Sequence, residues 1–269
     1  MRYTKCRMRL HLHLLAAAFV CTPATAQPWV AVRLHPANAL YSRVYALGPD
    51  LQGGTIRDLS VPGDLPSLWR GSSATWSPLP LPPSTSGTVY TISDGVEGGD
   101  VDGRASLWTG TVESRVELQP PLALSSSVLA MRGGMQVGWV YYLMGQTTHA
   151  ATWHGSVATF VDLHPAGSSL SHAFATDGRL QGGAAMFPGP TGAINHAALW
   201  NGTPAGFVDL SPGGRESYVR GMVPGLQVGQ ATIPAGSYHA GVWHGTAASW
   251  TDMHPQGVPG SSRFNATTG

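Results

Sequence analysis

Five times in this chain a tryptophan is followed two residues later by glycine and then by serine or threonine. The copies are Trp69-Arg-Gly-Ser72, Trp108-Thr-Gly-Thr111, Trp153-His-Gly-Ser156, Trp200-Asn-Gly-Thr203 and Trp243-His-Gly-Thr246, spaced by 39, 45, 47 and 43 residues. Self-similarity at this period marks a repeat architecture, in which each copy is one supersecondary unit that cannot bury its apolar face alone and must stack on its neighbours. The period therefore narrows the fold further than composition does.

Each copy reads as a tight β-hairpin. An apolar strand ends on Trp, a two-residue turn with Gly second follows, and Asn201-Gly202 suits the positive φ such turns need. In the return strand Phe207-Val-Asp-Leu-Ser-Pro212, Val208 and Leu210 fall on one face with Asp209 on the other, and Pro ends the strand. Tryptophan at one phase of every repeat is read as core, against the alternative of exposed rings gripping sugars. Burying one removes roughly 150–250 Å² from water, about 4–6 kcal/mol before entropy.

A second marker precedes each Trp by 11 to 19 residues: Gln52-Gly-Gly54, Glu97-Gly-Gly99, Gln136-Val-Gly138, Gln181-Gly-Gly183 and Gln227-Val-Gly229. Before it comes a short strand, over 43–47, 88–92, 126–131, 171–176 and 218–222. Four strand-like runs per unit, separated by turn residues and free of helical periodicity, make an all-β chain. Four strands in about 45 residues is one blade of a β-propeller. A parallel β-helix lacks the hairpin turns, and a sandwich does not explain the period. Segments 187–195 and 77–87 read as connections, and 27–269 as a single repeat domain. Residues 29–36 resemble a fourth strand and 261–269 a first strand and turn. The chain thus reads as five full units plus a split, partial sixth. The sixth unit's second and third strands, roughly 25–30 residues by analogy with 180–206, have no counterpart, so a longer chain or a second chain is expected to close the ring.

His149-Ala-Ala-Thr-Trp153, His196-Ala-Ala-Leu-Trp200 and His239-Ala-Gly-Val-Trp243 resemble the His-Ala-Phe-x-Trp signature of the HAF-type extracellular repeat family. Units one and two depart from it, with Leu65 and Arg104 in place of His, and the central aromatic of the signature is Ala or Gly here. The resemblance implies export and propeller-like repeats. It transfers no catalytic residue.

Residues 1–26 have the form of a secretory signal: basic Arg2, Lys5, Arg7 and Arg9, a largely apolar run over 10–20, and Ala24-Thr-Ala26 before a cut at Gln27. That run is too short to span a bilayer. A lipoprotein cut at Cys21 is disfavoured by the bulk of Val20. Both cysteines, Cys6 and Cys21, lie in this segment, so the mature chain has no thiol, which excludes Cys nucleophiles, Cys-ligated metals and disulfides. It keeps eleven arginines against fourteen acids, a net charge of −3, and no lysine. Without a basic run, nucleic acid is excluded as a partner. No second apolar span follows, so the expected location is secreted or periplasmic.

Nine histidines remain beyond the signal, and most recur by phase: His149, His196 and His239 four before Trp, His154 and His244 after it, and His35, His164 and His254 before Pro. Only His172 stands apart. A catalytic group is normally unique, so the recurring sets are read as local hydrogen-bonding groups rather than metal ligands, and no zinc-type spacing occurs. The run Asp94-Gly-Val-Glu97-Gly-Gly-Asp100-Val-Asp102-Gly103 is rich enough in oxygen for Ca²⁺ but lacks a calcium-loop spacing, and Asp-Gly turns account for it.

No catalytic, cofactor-binding or metal-ligating residue is assigned. The expectation is an exported, non-catalytic repeat protein acting in surface recognition or scaffolding, its partner an extracellular ligand or protein, with carbohydrate among the candidates. One rival is a carbohydrate-active hydrolase or lyase using non-repeated Glu97, Asp100, Glu113, Arg115 or Glu216. Another is a calcium-stabilised adhesion module. Asymmetry separates the classes: an enzyme gathers non-repeated polar groups, such as Arg104, Arg132, Arg179, Arg215 or Arg220 with carboxylates, at one place.

Overall fold

The structure, a computed structural model, describes residues 30–79, 81–82, 85–189 and 192–265. The signal-like segment, both cysteines and Trp29 lie outside the described residues. Twenty strands form five four-stranded antiparallel sheets, each built from consecutive strands in the order first, second, third, fourth. Sheet 1 holds β1 Ala39–Leu47, β2 Gln52–Asp58, β3 Asp64–Trp69 and β4 Ser77–Pro78. Sheet 2 holds β5 Gly87–Ser93, β6 Val96–Val101, β7 Arg104–Trp108 and β8 Val116–Glu117. Sheet 3 holds β9 Ala123–Arg132, β10 Met135–Tyr142, β11 Thr147–Trp153 and β12 Val161–Asp162. Sheet 4 holds β13 Leu170–Thr176, β14 Gln181–Gly189, β15 Gly192–Trp200 and β16 Val208–Asp209. Sheet 5 holds β17 Ser217–Val223, β18 Leu226–Thr232, β19 Tyr238–Trp243 and β20 Thr251–Asp252. The fold is all-β, and no described helix is long and apolar enough to cross a membrane.

The two sequence markers meet in every sheet. Gln52, Glu97, Gln136, Gln181 and Gln227 stand opposite Trp69, Trp108, Trp153, Trp200 and Trp243 in the ladder. Each of these side-chain oxygens accepts the backbone N–H of the motif glycine, at 2.7–2.8 Å. All five tryptophans are fully buried. Trp108, Trp153, Trp200 and Trp243 each pack against the buried leucine that follows the fourth strand or lies just past it in the preceding sheet: Leu79, Leu118, Leu163 and Leu210. The core is thus four apolar layers between successive sheets rather than one central mass. Serine hydroxyls cross the same boundaries. Ser126, Ser171 and Ser217 in the first strands of sheets 3, 4 and 5 accept the N–H of Ala105, Ala150 and Ala197 in the sheet before. Ser262 does the same for Ala240, so residues 261–265 lie against sheet 5 as a first strand lies against the earlier sheets.

Three local expectations are corrected. The segment after Trp is not a two-residue hairpin. The ladder resumes only at Leu199↔Val208, and a single 3₁₀ turn fills the gap: Ser73–Thr75, Val157–Thr159, Pro204–Gly206 or Ala247–Ser249. Only the glycine is left-handed there, with Gly202 at φ +87°, because its N–H must turn inward to reach Gln181. Val208 and Leu210 do not share a buried face: the fourth strand pairs over two residues, leaving Val208 exposed while Leu210 turns under into the next layer. The run 187–195 is not a loop; β14 and β15 stay in register through Phe187↔Ile194 to Gly189↔Gly192. A cross-strand aromatic–aliphatic pair extends that hairpin, and Pro188 is tolerated near its end.

Candidate ligand site on the first strands

The last glycine of each Gln-x-Gly marker has no room for a side chain. A Cβ at Gly54, Gly99, Gly138, Gly183 or Gly229 would overlap the carbonyl oxygen of Arg43, Thr88, Ser127, His172 or Tyr218 on the first strand. At that point each first strand carries one residue more than its partner. The register steps past Tyr45, Tyr90, Leu129, Phe174 and Arg220. A bulge leaves its extra residue outside the ladder and re-aims its side chain. All five extra residues line one cavity of about 380 Å³, to which every first strand contributes. Asn265 lines it too, three residues after Ser262 as Phe174 is three after Ser171.

The collar is chemically uneven. Tyr45 and Tyr90 face each other with ring centroids 5.2 Å apart. The guanidinium of Arg220 lies between two rings, 4.7 Å from Phe174 and 4.6 Å from Tyr218. His172, the histidine outside the repeat pattern, lies parallel to the Phe174 ring with centroids 5.6 Å apart. Desolvation, then the charge of Arg220, pushes the His172 imidazole below its ordinary range. The Tyr218 hydroxyl donates to Glu216 at 2.8 Å and accepts from Asn195 at 2.8 Å. Desolvation first, then Glu216, pushes its phenol up to about 12.

The side chains of seven of the eight recurring histidines have protein partners; His154 bonds through its backbone N–H, to the Thr159 hydroxyl. His149, His196 and His239 each bond a carboxylate, Asp162, Asp209 or Asp252, at 2.7 Å. In sheet 2 the same two positions hold Arg104 and Glu117, paired at 3.0 Å. His35, His164 and His254 bond Ser42, Ser171 and Ser262. His164 also stacks on His149 at 3.9 Å, and His254 on His239 at 4.0 Å. His244 bonds the Gly225 carbonyl.

The acidic run of sheet 2 does not converge. Asp94-Gly95 and Asp102-Gly103 are hairpin turns with positive φ at both residues. Glu97 holds Gly110, Asp100 accepts from Ser127 at 2.9 Å, and Asp102 accepts the N–H of Ser86. Among the described residues no group of three metal-type ligands comes together. Desolvation pushes the Asp100 carboxyl up to about 6, the Ser127 hydroxyl acting against it.

The arginines and acids of the enzyme reading are likewise spread. Arg104 and Arg115 both pair with Glu117, Arg215 caps the Pro212 carbonyl, and Arg132, Arg179 and Glu113 are exposed. Among the described residues only Arg220 of these groups lines the cavity, and no carboxylate lines it.

A comparison with protein-family models finds no match to this chain, and a comparison with curated proteins finds none either.

The bulge residues are what sequence reading missed. The signal was present: each lies nine residues before the marker glycine that forces the bulge, but four different residue types at one phase do not read as a motif.

Proposed function

We propose that the five sheets are successive blades of a β-propeller of the HAF-type extracellular repeat kind, exported and acting by recognition at its axis rather than by catalysis. The observation that carries this is the collar. Six equivalent positions on six consecutive first-strand segments meet at one cavity, and they hold Tyr45, Tyr90, Leu129, Phe174, Arg220 and Asn265. Around them the packing groups repeat. Varied side chains on a repeated frame are what a binding site on a propeller requires, because the frame fixes position and the side chains fix the ligand. The stacking of each sheet on the next through its first strand supports the propeller arrangement, and Ser262 and His35 repeat inter-sheet bonds of the full units at either end. The His–Asp pairs give the recurring His-Ala-x-x-Trp runs a structural reason.

The test is incubation of the purified protein with a panel of extracellular polysaccharides, read both for retention and for new reducing or unsaturated ends. Retention lost in Tyr45→Ala, with no new chain ends, supports recognition. New chain ends abolished in Asp100→Asn would replace it with the hydrolase or lyase reading.

A further inference from the structure

Among the described residues Arg220 is the one charged side chain on the cavity wall, and its guanidinium makes no hydrogen bond and no ion pair. Its guanidinium is half-buried between the rings of Phe174 and Tyr218. Four arginines have carboxylate acceptors, Arg57 with Asp64, Arg70 with Asp50, and Arg104 and Arg115 with Glu117, whereas Arg132 and Arg179 are exposed to water. A guanidinium carries five donors in a planar fork, and holding it partly out of water without an acceptor is costly. Desolvation, with the nearby charge of Arg263 adding to it, disfavours the charged form of Arg220. The acid in that neighbourhood, Glu216, already accepts from Tyr218. Among the described residues the fork of Arg220 is therefore open to an acceptor from outside the protein.

The rest of the wall describes what carries that acceptor. Tyr45 and Tyr90 present an inclined pair of ring faces, with Phe174 further round the wall. Ring faces suit the C–H faces of a sugar, and phenols, Asn265 and Thr91 supply donors and acceptors for hydroxyls. A single fork matches one carboxylate bidentately. The volume, about 380 Å³, lies within the range of small-ligand sites.

We propose that this cavity binds an acidic sugar residue, a hexuronate, with its carboxylate on Arg220 and its ring against Tyr45 and Tyr90. The proposal rests on the recognition reading above and names its ligand class.

Calorimetric titration of the full chain with three probes tests it: trigalacturonate, the methyl ester of the same trimer, and inorganic sulfate. Trigalacturonate is expected to bind at least tenfold more tightly than the ester. Arg220→Gln should lose at least tenfold, Arg220→Lys should keep part of the affinity, and Tyr45→Ala should weaken trigalacturonate binding. Absence of saturable trigalacturonate binding at millimolar concentration overturns the proposal. So does equal affinity for acid and ester, or sulfate competing as well as the trimer does. Should Arg220→Gln unfold, the acid–ester ratio and Tyr45→Ala still decide, since Tyr45 is 46% exposed and outside the packed layers. Ester bound as tightly as acid, and lost in Tyr45→Ala, removes the acidic ligand while leaving recognition at the collar intact.

Discussion

The side-chain oxygen of Gln181 accepts the backbone N–H of Gly202 at 2.7 Å, joining the two motifs that recur through the chain. The bond fixes the loop after Trp200 to the strand opposite it. In sheet 2 the same bond is made by Glu97, whose carboxyl is pushed up by desolvation against the pull of the Gly110 N–H.

Glu97→Gln should therefore stabilise the protein at neutral pH, because it keeps the acceptor and removes a buried charge. A carboxyl raised in the folded state contributes stability below its unfolded value, 4.5, and loses it as pH rises. The advantage of the variant should be absent below about pH 4 and grow above it. Thermal unfolding from pH 4 to 8 measures this; a variant less stable than the parent at pH 8 refutes it.

Trp200→Ala should cost roughly 3–5 kcal/mol, since the ring is fully buried against Leu163 and its layer. Trp200→Phe should cost clearly less: the indole N–H has no protein acceptor, so the change loses packing but no hydrogen bond. Trp108, Trp153 and Trp243 should follow the same order. Urea denaturation is the measurement, and an unchanged midpoint for Trp200→Ala would contradict the layered core.

Gly241 and Trp250 form a size-matched pair. A Cβ at Gly241 would overlap the six-membered ring of Trp250, whereas sheets 3 and 4 set Ala151 and Ala198 with the smaller Phe160 and Phe207. Gly241→Ala should cost about 1–3 kcal/mol by overpacking. Adding Trp250→Phe should recover most of that loss, giving a coupling on the order of 1 kcal/mol or more in a double-mutant cycle. Additive single effects would show the two positions to be independent.

Asp162 joins the His149 ring and the His164 backbone N–H. Desolvation alone would raise its carboxyl, but these bonds and the nearby imidazoles hold it below the ordinary range. A depressed carboxyl gives stability that is complete above its unfolded value, 3.8, and is lost as pH falls through the folded one. Asp162→Asn should cost about 1 kcal/mol at pH 7, screened by its partial exposure, and nothing near pH 2. Acid titration of the two proteins by circular dichroism, with converging stabilities as pH drops, is the expected result.

The architecture was legible because the packing groups repeat. Trp at one phase, Gln or Glu two residues before a crowded Gly, and Leu beyond the fourth strand are the same contacts made in sheet after sheet. The His–Asp pairing was also written in the sequence, as a constant separation of thirteen residues that sheet 2 keeps with Arg104 and Glu117. The loop after Trp was misread because Asn201-Gly202 has the residues of a hairpin turn, and local preference yielded to the bond with Gln181. The collar was illegible for the opposite reason. Its five bulged members share a backbone conformation forced by a neighbouring glycine, and nothing in Tyr, Tyr, Leu, Phe and Arg advertises a common address.

That forced bulge separates two kinds of inheritance. A residue inside the ladder is constrained by the strand beside it, by the sheet stacked on it and by the serine that stitches the two. The bulged residue answers to none of these, so its side chain can be exchanged without disturbing the sheet that carries it. Five such positions on the wall of one cavity are settings independent of the casing. Chains with the same tryptophans and glycines can keep this frame while differing at five letters that the frame does not read.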